Sequence, residues 1–191
     1  NGEVNINKPL TSYTDNGELY TKRFIKRIDD QIINDGQYIE YYLSGKIKSQ
    51  GLYLLGSKEG KWLDHYDDGS LYSQLILEDG SGKYTSYYPS GEILLLGRYK
   101  NHKKNGKWNE YYTNGNKKLE YHYLNDSINP NKLCYNWYES GYKKSEGYLM
   151  DSNNKLVWDG QYREFFQSGI IYLIGEYING NQNGLWKQFY N

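Results

Sequence analysis

Four carboxylates occupy equivalent positions, each two residues after one aromatic side chain and two residues before another. Residues two apart share a face of an extended strand, so each carboxylate would lie between two rings. Rings stack on the C–H faces of sugars and attract cations, while carboxylates accept hydrogen bonds from hydroxyl groups. This chemistry would suit a glycan or a cationic peptide segment. The candidate binding stripe comprises Tyr38, Glu40, Trp62, Asp64, Trp108, Glu110, Tyr112, Glu164 and Trp186.

The same positions could instead form a core seam, and the sequence favours this interpretation. The order aromatic, polar, aromatic also occurs around Ser86 and Gln188, where the centre is not acidic. Equivalent rings in successive units are what a repeat needs in order to stack unit on unit. A row of carboxylates is costly to bury unless it is solvated or paired, so we expect the middle of this face not to be dry. Whether the stripe is a seam or a groove stays open at this point.

No residue set in the sequence indicates catalysis. Cys134 is the single cysteine and stands where other units have a ring, with no paired histidine motif, so it is a poor nucleophile candidate. His65 also replaces a ring, and His102 and His122 are expected in a turn and in a strand. No zinc motif occurs, and DGSGK at 79–83 lacks the spacing of a phosphate-binding loop. We predict a protein that is not an enzyme and that has no cofactor, metal site or catalytic residue.

The elements that position these residues come from an internal repeat. Its copies include GQYIEYYLSGKI from Gly36, GKWLDHYDDGSL from Gly60 and GKWNEYYTNGNK from Gly106. A degenerate copy, KLCYNWYESGYK, starts at Lys132, and a partial unit around Tyr13 and Gly17 precedes them all. A second glycine follows the turn glycine by six residues in four units, at Gly51, Gly97, Gly147 and Gly175. The copies start at residues 36, 60, 82, 106, 132, 160 and 184, with separations of 24, 22, 24, 26, 28 and 24.

Turn residues interrupt the chain every ten to twelve positions, which excludes a helix-period apolar stripe and predicts strands. Each unit is interpreted as strand, tight turn, strand and looser turn, with Gly106 and Gly115 marking the two turns around one strand. The looser turns are predicted in KNHKKNG (100–106) and NGNQNG (179–184). The prediction is an all-β fold, an elongated single-layer antiparallel meander of repeated β-hairpins with about fifteen strands. Residues 1–12 are expected to be a polar lead-in. Residues 13–191 are expected to form one repeat domain of about seven units of 22–28 residues plus a partial N-terminal unit.

The repeated motif G-x-[WY]-x-x-[YFH]-[YF]-x-x-G-x-[IL] resembles the bacterial variant of the MORN repeat, which also occurs in YwqK-type antitoxin proteins. The resemblance extends over residues 13–191 and draws its specificity from repetition. It implies an array of β-hairpins with a role in scaffolding, protein binding or lipid association. A choline- or glucan-binding repeat also has clustered aromatics, but here two residues separate the first ring from the aromatic pair, which favours MORN.

Charge and composition restrict the partners. Lys plus Arg and Asp plus Glu are both 23, and zero net charge argues against a nucleic-acid binder. We expect a protein partner, with a glycan as the alternative. Lys22, Arg23, Lys26 and Arg27 lie in the first full strand, where they either block edge pairing or bind an acidic partner or anionic lipid. A start at Asn1 without Met fits a removed signal peptide, and hence a secreted or envelope location, or a trimmed chain. The oligomeric state is not indicated.

Overall fold

The computed structural model describes residues 8–153 and 155–190, so most of the expected lead-in (residues 1–7) lies outside the described residues. Within these ranges the chain forms strands joined by turns, with no helix. The strands are β1 (Leu10–Tyr13), β2 (Leu19–Ile28), β3 (Gln31–Tyr41), β4 (Ile47–Leu54), β5 (Ser57–His65), β6 (Leu71–Glu78), β7 (Ser81–Tyr87), β8 (Ile93–Lys100), β9 (Lys103–Tyr111), β10 (Lys117–Leu124), β11 (Ser127–Ile128), β12 (Leu133–Trp137), β13 (Lys143–Ser152), β14 (Lys155–Phe165), β15 (Ile171–Ile178) and β16 (Asn181–Gln188).

The chain divides into two compact units. Unit 1 contains the described residues of Asn1–Gly91 together with Tyr99–His102, and unit 2 contains those of Glu92–Arg98 and Lys103–Asn191. In unit 1 each strand from β1 to β7 pairs antiparallel with the next. In unit 2 the paired order is β9, β10, β12, β13, β14, β15 and β16, and the two-residue β11 pairs with β10. The predicted all-β antiparallel meander of hairpins is confirmed.

Tight turns at the predicted turn glycines are confirmed. At the first complete one, the Gly45 amide donates to the Tyr42 carbonyl and the Tyr42 amide donates to the Lys46 carbonyl, both at 2.9 Å. Gly45 has a φ of 79°, in the left-handed region that favours glycine. This is a three-residue hairpin loop closed by a glycine bulge. The same bonds recur at Gly17, Gly69, Gly115, Gly141 and Gly169.

The second turn lies at the start of the predicted segments 100–106 and 179–184, and not at Gly106. Gly106 is inside β9, and the chain reverses instead at Asn101 and His102, whose φ values are 51° and 60°. Two consecutive residues with positive φ define a type I′ turn, which matches the right-handed twist of the flanking strands. The same pair of positive φ values occurs at 29–30, 55–56, 79–80, 125–126 and 179–180. Five of these six turns have Asn or Asp first, the residues that tolerate this conformation best after glycine.

Four of the glycines that start repeat copies lie in bulges: Gly36, Gly60, Gly160 and Gly184. Between β4 and β5 the register passes from Gln50↔Leu63 to Leu52↔Glu59, so β5 advances four residues while β4 advances two. Gly60, with a φ of 65°, lies in the extra segment. Equivalent shifts occur between β2 and β3, β13 and β14, and β15 and β16. Between β6 and β7 the register is continuous, and this is the copy whose period is 22 rather than 24 residues.

Side chains of complementary size fill the core row of the front face, which we define as the sheet face that carries Trp62 in unit 1 and Trp108 in unit 2. A Cβ added to Gly51 would lie 2.2 Å from the Trp62 ring, so the glycine makes room for the indole. Where β6 has Leu75 instead of glycine, its partner on β7 is the smaller ring of Tyr84. In unit 2, Gly97 lies under Trp108 and Gly175 under Trp186 with the same 2.2 Å spacing. The core of each unit therefore contains a row of interlocking residues.

Candidate functional site

The tryptophans of the candidate binding stripe form the buried level of the front face. Trp62 and Trp108 are each 1% exposed. The Trp62 Nε1–H donates to the Leu52 carbonyl at 2.8 Å, and the Tyr53 ring packs edge-on against the indole with centroids 4.8 Å apart. The Lys58 ammonium lies 4.0 Å from the indole centroid. These two rings pack within their units and are not open to a ligand, while Tyr38 and Trp186 are partly exposed.

The carboxylate level of the stripe lies between hydroxyl-bearing residues of the neighbouring strands. Asp64 accepts hydrogen bonds from Ser49 Oγ and from Ser73 Oγ, both at 2.6 Å. Ser49 pairs with Asp64 from β4 and Ser73 pairs with it from β6, and the two serines are 8% and 1% exposed. Both carboxylate oxygens of Asp64 therefore accept hydrogen bonds from neighbouring strands, as expected for a carboxylate that is partly removed from water.

Glu40 and Glu110 retain exposed surface. The Glu40 side chain is 17% exposed and pairs with Lys48 at 2.7 Å, while the Glu110 side chain is 29% exposed and lies 3.9 Å from Lys118. The Tyr38 hydroxyl donates to Glu40 at 3.3 Å. Burial, together with the negative charge of Glu40, raises the pKa of Tyr38 to about 12, so this phenol stays neutral. Each carboxylate thus sits between rings and beside a lysine.

Glu164 occupies the same level in unit 2 and is half-buried. Its Cα partners are Ser145 on β13 and Leu173 on β15. Ser145 is 1% exposed, so one side of the Glu164 carboxylate faces a buried serine and the other an aliphatic side chain. The remaining direction points away from the sheet, so an incoming donor could still approach.

The second ring of each row links successive repeats. The Tyr112 hydroxyl donates to the Trp137 carbonyl at 2.9 Å. The same bond joins Tyr42 to the His65 carbonyl at 2.6 Å and Tyr66 to the Tyr87 carbonyl at 2.8 Å. Because this bond recurs, Tyr112 has a structural role in unit 2 in addition to its place in the stripe.

The residues considered for catalysis are all placed in packing positions. Cys134 is fully buried, and burial raises the pKa of its thiol to about 11, so it is neither ionised nor accessible at neutral pH. His102 lies in a turn and His122 in β10, and burial lowers the pKa of His122. Within residues 8–153 and 155–190, no group of three His, Cys, Asp or Glu is placed to hold a metal ion. In the same ranges no helix could span a membrane.

The back face, opposite the tryptophans, carries charged residues that the sequence analysis did not single out. Glu120 is 5% exposed and accepts ion pairs from Lys107 at 2.7 Å and Lys117 at 2.8 Å. Burial disfavours the charge, but the hydrogen bonds from the two lysines outweigh it and lower the pKa of Glu120. Glu146 holds the equivalent position one repeat later, with Lys143 at 3.0 Å. The segments KKLE (117–120) and KKSE (143–146) could have indicated these ion pairs in the sequence, because they place Lys and Glu three residues apart at the same point of two repeats.

Comparison with known proteins agrees with this repeat geometry. No curated protein matches the chain. Each matched segment of the family comparison contains a pair of hairpin strands and the turn between or beside them. The segments 34–54, 81–101 and 104–125 match the family model described as MORN repeat variant, so these three segments are similar to that repeat.

Proposed function

We propose that the protein is a non-enzymatic interaction or scaffold protein that binds a protein partner through one extended sheet face. The match to MORN repeats, which are generally non-enzymatic scaffold or binding modules, supports this role. The observation that carries the proposal is the equivalent placement of Glu40, Glu110 and Glu164. Each stays partly exposed between rings at the same level of a strand. A partner with spaced cationic groups could therefore contact more than one repeat of the same unit, such as those of Glu110 and Glu164 in unit 2, with one geometry.

A glycan is the second candidate ligand for the same stripe, favoured by the mixture of rings and carboxylates. With Trp62 and Trp108 buried, stacking on a sugar would depend on Tyr38, Tyr112 and Trp186. Indole offers the larger stacking surface, and its burial at two positions makes this candidate weaker than a protein partner.

Substitution of the exposed carboxylates tests the stripe. Glu110→Ala with Glu164→Ala should weaken binding of a captured partner by about fivefold or more, since each lost ion pair at a partly exposed site contributes up to about 1 kcal/mol. Binding would be measured by biolayer interferometry, with a glycan array in parallel. Glu139→Ala, an exposed turn position, is the matched control.

Thermal unfolding of the same variants separates binding from folding. The double variant should keep a cooperative transition close to that of the wild type. A collapse of thermal stability, or an equal loss of binding in Glu139→Ala, would show that these carboxylates serve the sheet and not a ligand. Retained binding to a glycan but not to any protein would favour the second candidate.

A bacterial source and an envelope location belong to the same proposal. Usage rich in Asn, Lys, Ile and Tyr fits an AT-rich bacterial genome, which supports the source. The full open reading frame provides the test: a signal peptide or lipobox upstream of Asn1 would support the envelope, and a neighbouring toxin gene would support a YwqK-type antitoxin role instead.

A further inference from the structure

The back face of unit 1 combines aliphatic, amide and cationic side chains in two adjacent rows. The first row runs across the strands as Lys22, Ile39, Gln50, Leu63, Gln74 and Thr85, each the Cα partner of the next. In the second row, Ile76 on β6 has Lys61 on one side and Lys83 on the other. Neither row contains a carboxylate.

The lysines of this face have no acidic partner within the part of the chain that the structure describes. Lys22, Lys61 and Lys83 are exposed and take part in none of the ion pairs found there. The carboxylate of Glu59, opposite Leu52, accepts a hydrogen bond from the Gly80 amide at 3.2 Å. Glu78 lies at the turn end of the same face without an ion pair to Lys83 among those contacts.

The equivalent face of unit 2 differs in this respect, because four of its cations are paired with carboxylates of the same face. Glu120 is paired with Lys107 and Lys117, and Glu146 is paired with Lys143 and Arg163. Lys187, exposed on the back face of unit 2, takes part in none of these ion pairs among the described residues, so the two units differ in how many of their back-face cations are paired and not in an absolute way.

Apolar surface accompanies the charge. Leu52 and Ile76 are 42% and 46% exposed although they lie within strands. A depression of about 320 Å³ is lined by Leu52, Lys61, Leu63 and the amide side chains of Gln37 and Gln50. Lys61 and Lys83 are two strands apart, so their Cα atoms are separated by about 10 Å. Cations spaced around aliphatic and amide groups fit a partner that alternates carboxylates with aliphatic residues.

We propose that the back face of unit 1 binds an acidic, aliphatic peptide segment of a protein partner, with Lys61 and Lys83 on both sides of Ile76 as the principal cationic contacts. Carboxylates of the segment would meet the lysines, its aliphatic side chains would cover Leu52 and Ile76, and the amides of Gln37 and Gln50 would hydrogen-bond polar groups at the depression. An anionic bilayer fits less well, because the exposed aliphatic residues lie within strands beside a concavity, whereas membrane insertion needs apolar groups that protrude.

Binding at the back face of unit 1 and binding at the candidate binding stripe both involve a protein partner, but they use opposite faces of the sheet. Either binding can therefore be absent while the other is present. The combination Glu110→Ala with Glu164→Ala should leave binding at the back face unchanged, because neither glutamate lies on it.

Fluorescence anisotropy with a labelled eight-residue peptide of alternating Glu and Leu tests the proposal on the full chain. Binding should be stronger than that of a Glu–Gly peptide of equal charge or a Lys–Leu peptide, and should weaken between about 0.05 and 0.5 M salt as charges are screened. Lys61→Glu with Lys83→Glu should reduce affinity by about tenfold or more. Lys61→Gln with Lys83→Gln should give a smaller loss in the same direction.

Lys46→Glu is the matched control, since Lys46 is an exposed lysine of unit 1 in a hairpin turn and donates a hydrogen bond to the Asp68 carbonyl. It should change affinity by less than about twofold, because its charge is screened from the back face. Equal losses in Lys46→Glu and the double variant would overturn the proposal. Equal binding of the Lys–Leu or Glu–Gly peptide, or binding to phosphatidylserine vesicles without binding to the Glu–Leu peptide, would also overturn it.

Discussion

At the scale of single residues, the repeat is held together by pairs of complementary size. In unit 1, Gly51 faces Trp62 and Leu75 faces Tyr84, so the smaller side chain is on the earlier strand. In unit 2 the larger side chain is on the earlier strand where Tyr121 of β10 lies opposite Cys134 of β12. This position continues the register of the pairs Leu119↔Asn136 and Glu120↔Tyr135. Cys134 is 0% exposed because the ring it lacks is supplied by the neighbouring strand. A cysteine that looked anomalous in the repeat is therefore one half of an exchanged pair.

This complementarity predicts a strong effect of one added methyl group. Gly51→Ala should destabilise the protein by at least about 2 kcal/mol, because its Cβ would overlap the Trp62 ring and the core cannot expand without strain. The free energy of unfolding would be measured by urea denaturation. In a Trp62→Cys background, which copies the pair at Tyr121, the same substitution should cost much less. Additive effects in this double-mutant cycle would contradict the packing account.

At the scale of elements, two kinds of turn alternate, and one of them contains a residue that does not suit it. Leu55 has a φ of 48° in a type I′ turn whose equivalents begin with Asp or Asn. The Leu55 amide donates a hydrogen bond to Asp35 Oδ1 at 2.9 Å, and the Gly56 amide donates one to the Asn34 carbonyl at 2.9 Å. These bonds from the preceding hairpin compensate for the unfavourable backbone conformation of a leucine.

Leu55→Asn should therefore stabilise the protein by about 1 kcal/mol, the usual cost of a left-handed conformation for a residue with an apolar side chain. Differential scanning calorimetry would show a higher Tm. The reverse change in the equivalent turn, Asn101→Leu, should lower the Tm. If both substitutions shift the Tm in the same direction, backbone conformation does not control the stability of these turns.

The sequence predicted the strands and the tight turns because glycine, serine and asparagine clusters recur with the strand period. It placed the second turn within the segments 100–106 and 179–184 but not at its exact position, since a glycine with positive φ such as Gly106 also occurs inside a strand. The sequence pattern placed the carboxylates of the stripe at equivalent positions on one face of the strands. It did not predict the hydrogen bonds of Asp64 to Ser49 and Ser73, because these serines come from neighbouring strands whose register is not visible in the sequence. The paired charges of the back face depend on the same register.

At the scale of the whole molecule, a core built from tyrosine makes stability sensitive to alkaline pH. Burial raises the pKa of Tyr162 to about 12 and also raises that of Tyr121, and the two residues are 7% and 5% exposed. An unfolded tyrosine ionises near pH 10. The folded pKa lies above the unfolded one, so this stabilisation is complete below about pH 10 and is lost as pH rises toward the folded pKa.

We expect the free energy of unfolding to fall above pH 10 by about 1.4 kcal/mol per pH unit for each such tyrosine. Urea denaturation at several pH values, followed by tryptophan fluorescence, would measure the slope. Tyr162→Phe should reduce the slope, while Tyr142→Phe, at an exposed ring, should not. A free energy of unfolding that does not change between pH 9 and about 12 would show that the tyrosines ionise equally in both states.

The interlocking pair also determines where such a chain can lengthen or recombine. Gly51 and Trp62 belong to different copies of the sequence motif but to one hairpin, β4 with β5, closed by the type I′ turn. A genetic exchange with breakpoints at the motif boundaries would separate Gly51 from Trp62 and would place side chains of mismatched size opposite each other. Duplication would preserve the packing of the glycine against the indole only when whole type I′ hairpins are copied. The segment that can be duplicated without loss of packing is therefore shifted by half a unit from the repeat that is visible in the sequence.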